Sequence, residues 1–170
     1  EYTTDENGTI LMDQLTPGKY QVVEKEVIEG YILNTQPLTF EIKESANGLP
    51  ETLKLDDVVN YKGSVQLLKT DNDGNPLADA EFTLESVGET NEEIGSYITD
   101  SKGVIEVKDL DPGTYQFVET KAPYGFLLDE TPITFTMEAE TSGKPEMVEV
   151  SAVNEKYLAS LKINKEGSDG

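Results

Sequence analysis

Apolar and polar residues alternate in short runs along this chain, and clusters of turn-forming residues separate the runs. Val65, Leu67 and Lys69 share one phase of the first clear run, and Ala80, Phe82 and Leu84 share the next. Ile105 with Val107, then Tyr115, Phe117 and Glu119, then Ile133, Phe135 and Met137 continue the pattern. Val148, Val150, Ala152 and Asn154 close it. A period of two belongs to a strand with one face in a core. Between the runs stand Asp71-Asn72-Asp73-Gly74-Asn75-Pro76, Asp100-Ser101-Lys102-Gly103 and Asp109-Leu110-Asp111-Pro112-Gly113. These residue types supply turn conformations, and the first two read as hairpin turns. About seven short strands in one unit of this size predict an all-β, antiparallel β-sandwich.

The pattern also repeats. Thr4 falls on Thr99 and Leu15 on Leu110, both at a shift of 95 (99 − 4 and 110 − 15). In the same frame Glu24 falls on Glu119, Asn60 on Asn154 and Lys69 on Lys165. A long fixed period predicts a tandem array of similar units. One complete unit spans 63–157. Residues 1–62 match the later part of a unit, and 158–170 match the first strand of a following one through Leu161, Ile163 and Lys165. Partial sandwiches leave edges and apolar faces open. The expectation is that neighbouring repeats cover them, by donation of the Lys165 strand of another copy beside residues 1–62 or by the next unit of the same chain. Leu53 and Leu55 differ in parity from Val58 and Asn60, so a bulge at Asp56-Asp57 is expected there.

Composition narrows the function classes. The net charge is −21, from 34 acidic residues against 13 basic ones, all lysine. A chain with that balance has little with which to neutralise phosphates, so nucleic acid is an unsuitable partner. No run is long enough to span a bilayer and no signal peptide is seen. Histidine and cysteine are both absent, which removes the commonest general base and metal ligand as well as disulfide staples. No Gly-rich phosphate loop or metal cluster is found, so neither cofactor nor metal is expected. Turnover catalysis starts from a poor position.

Three polar residues break the apolar phase: Lys69, Glu119 and Asn154 each stand at a core-facing position of a different strand. Lys and Glu are almost never buried without a partner. The set implies either a buried hydrogen-bonded cluster or a covalent link.

The segment Gly113-Thr114-Tyr115-Gln116-Phe117-Val118-Glu119-Thr120-Lys121-Ala122-Pro123-Tyr124-Gly125-Phe126 resembles the E-box of the B-type (CnaB, SpaA-like) domains of collagen-binding surface adhesins and sortase-assembled pili of Gram-positive bacteria. The opening run Val65–Asp71 and the closing run Val150–Asn154 are similar to that family's other two landmarks. The resemblance implies a spontaneous isopeptide bond, with Lys69 as nucleophile, Asn154 as electrophile and Glu119 as proton shuttle. Burial disfavours charge, which would leave the amine free to attack, with a proton passing from Glu119 to the Asn154 carbonyl oxygen. Glu24 and Asn60 are a partial second set. Their unit lacks the Ala-Pro of the E-box, and the lysine partner is either that of an adjoining unit in sequence or Lys165 of another chain.

Other signals are weaker. Leu49-Pro50-Glu51-Thr52 is followed by Leu53 where a sortase signal has Gly. Asp71–Asn75 lacks the spacing of a calcium loop. Lys62 and Lys156 lack the Tyr-Pro-Lys context of cross-linking pilin lysines and read as linker charges. The resemblance implies an extracellular, cell-wall-anchored stalk or fibre, with force carried through the bond between first and last strands. A ligand-binding adhesin module recognising a host protein is the alternative, although Ser86–Ser96 shows no aromatic patch.

Overall fold

The structure, a computed structural model, describes residues 1–44, 52–145 and 147–167. The Leu49–Thr52 motif lies largely outside them. Every regular element among the described residues is a strand, and no helix is long and apolar enough to cross a membrane. The first part of the chain carries β1 (Gly18–Val22), β2 (Leu33–Asn34) and β3 (Leu38–Ile42). The second carries β4 (Gly63–Asp71), β5 (Glu81–Ser86), β6 (Glu92–Ile98) and β7 (Val104–Leu110). It continues through β8 (Gly113–Lys121), β9 (Ile133–Met137), β10 (Glu140–Thr141) and β11 (Val148–Asn154).

The second part is a sandwich of two sheets, one in the order β11-β4-β7 and the other β6-β5-β8-β9. Inward positions of both sheets meet in one core. Val65, Leu67, Ile105, Phe82, Leu84, Phe117 and Phe135 are all buried there, and each such side chain contributes roughly 1.5–3 kcal/mol by leaving water. Phe117 meets Phe82 edge-on, with ring centres 6.2 Å apart, and stacks on Phe135 at 5.7 Å. Such aromatic pairs add to the burial term.

Two features differ from the sequence reading. The pairs within the sandwich are antiparallel except that β4 and β11, its first and last strands, run parallel, with Val65 opposite Val148 and Lys69 opposite Ala152. The turns at Asp71–Pro76 and Asp100–Gly103 are not hairpins: each carries the chain from the three-stranded sheet to the four-stranded one or back. The local chemistry is nonetheless that of a turn. Asp71 Oδ1 accepts N–H bonds from Asp73 and Asn75 (both 2.9 Å), and Asp100 Oδ1 accepts them from Lys102 (2.8 Å) and Val104 (2.9 Å). A reversal of direction is written locally, whereas the strand it delivers to is decided by the whole sandwich.

Residues 1–62 repeat the second unit's later half in detail. β1 and β3 pair antiparallel. Tyr20 stacks on Phe40 at 5.5 Å, as Tyr115 stacks on Phe135 at 5.7 Å. The Tyr20 hydroxyl donates to the Thr16 carbonyl (2.7 Å), as that of Tyr115 donates to the Asp111 carbonyl (2.8 Å). Tyr20 and Phe40 are only half-buried, because no second sheet faces them among the described residues. Residues 52–60 form no strand, so the bulge expected at Asp56-Asp57 has no ladder to interrupt. β11 is extended because β4 pairs along it, and 52–60 has no such neighbour. The tail 158–167 is exposed and without strand.

Candidate functional site

Lys69 lies on β4, Asn154 on the adjoining β11 and Glu119 on β8 of the facing sheet. The parallel register sets Asn154 opposite Asp71, two residues beyond Lys69, so both side chains leave the same face of neighbouring strands. Across the sandwich, Glu119 stands opposite Phe82 in the β5–β8 pair. All three polar side chains are 1% exposed.

Their contacts form one small network. Lys69 Nζ lies 3.2 Å from Glu119 Oε1, an approach that lacks hydrogen-bond alignment and leaves Oε1 formally unpartnered. Asn154 Nδ2 donates to Glu119 Oε2 at 2.8 Å. The same oxygen accepts the Asp129 N–H at 3.0 Å, so Oε2 is committed as an acceptor. The Asn154 oxygen has no partner. Burial pushes the Lys69 amine below its ordinary value, with the neighbouring Glu119 charge opposing that shift. Its Nζ also lies 5.6 Å from the centre of the Phe82 ring. A cavity of about 180 Å³ opens beside Lys69, lined among others by Asp129, Thr131 and Ala152.

The sequence reading placed the Asn154 oxygen against Glu119, whereas the structure turns the amide nitrogen, the leaving group of an amide exchange, toward it. The reason is Oε2's acceptor role, which matches an NH₂ and not a carbonyl. Asp129 and Phe82 escaped the sequence reading as site residues. Asp129 acts through its backbone, which carries no side-chain signature, yet it falls on Asn34 in the repeat (129 − 34 = 95).

Lys69 is also held from behind. Its N–H donates to the Gly103 carbonyl at 2.7 Å, and its own carbonyl accepts from Leu77 at 2.9 Å. Gly103 has φ +72°, and a Cβ there would stand 2.4 Å from the Lys69 carbonyl oxygen.

Glu24 and Asn60 are arranged as Glu119 and Asn154 are. Asn60 Nδ2 donates to Glu24 Oε2 at 2.8 Å, and the Asn34 N–H donates to the same oxygen at 3.1 Å. No lysine faces them among the described residues. Lys165 is exposed on the strandless tail and makes no ion pair with any described residue. Lys62 pairs with Asp111 at 2.8 Å, and Lys156 with Asp73 at 2.8 Å and Asp71 at 3.3 Å. Among the described residues no group of His, Cys, Asp and Glu side chains could hold a metal ion.

The model of the SpaA prealbumin-like fold domain matches this chain twice, over residues 1–57 and 63–156. The chain belongs to that family. A comparison with curated proteins gives no match. Among solved structures, the SpaA-type pair resembles the Bacillus anthracis TIE protein at 30% identity and a TM-score of 0.55, over 91% of this chain and 28% of that one. BcpA, the major pilin subunit of Bacillus cereus, aligns at 32% identity and a TM-score of 0.48, over 54% of this chain and 28% of that one. A streptococcal ancillary pilin aligns at 25% identity and a TM-score of 0.48, over 84% and 43%. The chain therefore spans less than a third of the length of the first two.

Proposed function

We propose that the chain is a stalk segment of a Gram-positive surface protein, a pilus or adhesin shaft, whose complete unit ties itself by an isopeptide bond between Lys69 and Asn154. The observation that carries this reading is the buried trio, with amine and amide nitrogen held by the two oxygens of one carboxyl group. In the reaction the Lys69 amine attacks the Asn154 side-chain carbonyl carbon. A C–N bond forms to Nζ, the bond to Nδ2 breaks, and one ammonia leaves. Glu119 takes the proton that Nζ loses at Oε1 and returns one to the departing nitrogen. No oxidant, metal or second substrate is needed. Folding supplies the encounter, because strand pairing and burial replace a collision in solution by a held geometry. The cavity beside Lys69 gives the ammonia a way out.

The reaction runs once per unit and is self-modification, not turnover. Membership of the SpaA family supports the structural role and a place at the cell surface. Glu24 and Asn60 are the equivalent half-site of the preceding unit, which a lysine-bearing strand from an adjoining repeat or another copy would complete. Intact mass followed by peptide mapping tests the proposal. A deficit of one ammonia, with the Lys69 and Asn154 peptides joined, is expected; a full mass after prolonged folding would refute the bond.

A further inference from the structure

The two SpaA-type units touch through backbone. β2 of the first pairs in parallel with β10 of the second, Leu33 opposite Glu140 and Asn34 opposite Thr141. The Leu33 and Thr35 N–H groups donate to the carbonyls of Ala139 (2.9 Å) and Thr141 (2.8 Å). The Thr35 hydroxyl donates to the Thr141 carbonyl at 3.0 Å, and the Gly143 N–H to Asn34 Oδ1 at 3.2 Å. Ile32, bridged to Tyr61, is 3% exposed. Gly30, at φ +84°, faces the Asp111 carboxylate, which would stand 3.0 Å from a Cβ built there. The segment following β9 is thus a clasp that closes on the preceding unit just after its E-box.

The second unit carries the same acceptor edge, uncovered. Gly125, Leu127, Leu128, Asp129 and Glu130 fall on Gly30, Ile32, Leu33, Asn34 and Thr35 at the shift of 95. The Leu127 N–H donates to the Glu155 carbonyl at 2.8 Å, as that of Ile32 donates to Tyr61 at 2.9 Å, so the backbone is set in the same way. Asp129 Oδ1 accepts the Thr131 N–H at 3.0 Å, as Asn34 Oδ1 accepts that of Gln36 at 3.0 Å. What differs is cover. Leu127 is 45% and Leu128 46% exposed, and a Cβ on Gly125 would meet nothing within 4 Å.

We infer that Gly125–Glu130 is a docking edge for the clasp of a following SpaA-type unit, and that the junction between residues 1–62 and 63–157 is the repeating joint of an array. The inference rests on the tandem arrangement and not on the isopeptide bond. A two-residue pairing is too small to hold separate molecules. It works between tethered units, where a short linker raises the effective concentration to roughly millimolar. Two substitutions modify the joint. Asp129 and Glu130 replace the neutral Asn34 and Thr35, so against an acidic clasp the contact strengthens as salt screens the repulsion.

Hydrogen exchange read by mass spectrometry tests this on two proteins. In the present chain, replacing Glu138–Lys144 by a glycine linker should speed exchange at Leu33 and Thr35 at least tenfold. The second protein is the full chain with another copy of residues 63–157 in place of the tail from Ala159. There the Leu128 and Glu130 amides should slow at least tenfold, and lose that protection when the added copy's clasp is made glycine. Unchanged exchange at Leu33 and Thr35 would overturn the clasp. Unchanged exchange at Leu128 and Glu130 in the extended chain would overturn the docking edge. Concentration-dependent protection of Leu128 in the unextended chain would overturn the tandem assignment in favour of pairing between separate copies. None of these readouts involves loss of ammonia, so failure here leaves the cross-link proposal standing.

Discussion

Replacing Lys69 by methionine removes the nucleophile while keeping an unbranched apolar stem in the same buried slot. The bond it prevents would close a loop of 85 residues (154 − 69). Loop-closure entropy for a covalent tie of that span amounts to about 4.5 kcal/mol. For a domain of this size, 1 kcal/mol moves the melting midpoint by about 4–8 °C, so the shift is roughly 20–35 °C. A second effect has to be separated from the first. Removing one partner of a buried pair leaves the other uncompensated and costs about 3–5 kcal/mol by itself. The double variant Lys69→Met/Glu119→Gln removes that charge and isolates the tie. Scanning calorimetry on wild type, single and double variants, each with its intact mass recorded, gives the comparison. The double variant is expected to melt at least roughly 20 °C below wild type. A double variant melting within about 5 °C of wild type would refute the argument that the tie dominates stability.

Glu119→Gln alone should fold and keep its full mass, because Gln can hold the Asn154 amide but cannot pass a proton; loss of ammonia in this variant, read by intact mass, would exclude the shuttle. Gly103→Ala should destabilise by about 2–5 kcal/mol, summing left-handed strain and overpacking against the Lys69 carbonyl. Gly8→Ala, at φ +73° with nothing within 4 Å of its Cβ, should cost only about 1 kcal/mol; equal losses in chemical denaturation would contradict the assignment of the Lys69 strand as Gly103's neighbour. Asp71 is held at about 2, well below 3.8, chiefly by the Asn75 side-chain and backbone N–H donors, with Lys156 beside it. Because its folded value is depressed, its contribution is complete above about pH 4 and is lost as pH falls toward 2. The melting midpoint of Asp71→Asn should fall less steeply than wild type across that window.

Much of the site was legible because burial and phase are linked. A strand alternates faces, so the in-phase placement of Lys69 with Leu67, and of Glu119 with Phe117, said which way those side chains point. The repeat likewise carried Glu24 and Asn60 into register with Glu119 and Asn154. Parity says nothing about neighbours, however. Whether β4 lies beside β7 alone or also beside β11, and in which direction, depends on closing the whole sandwich. The turns at Asp71 and Asp100 show the same limit: their Asx chemistry is local, but the sheet each strand joins is not. Asp129 and the β2–β10 joint were hidden for a different reason. They act through backbone N–H and C=O groups, which every residue owns, and two-residue strands leave no periodicity to count.

The parallel run of β4 and β11 sends the chain in at one pole of the unit and out at the other. Were Lys69 and Asn154 joined as proposed, the 84 residues between them would leave the mechanical path and hang from it as a closed side loop. Those residues would otherwise hold about 280 Å of extensible chain per unit. A shaft of units tied in the proposed way would give up no slack when pulled, so a tug at its tip would reach its root undiminished in length and without delay for refolding.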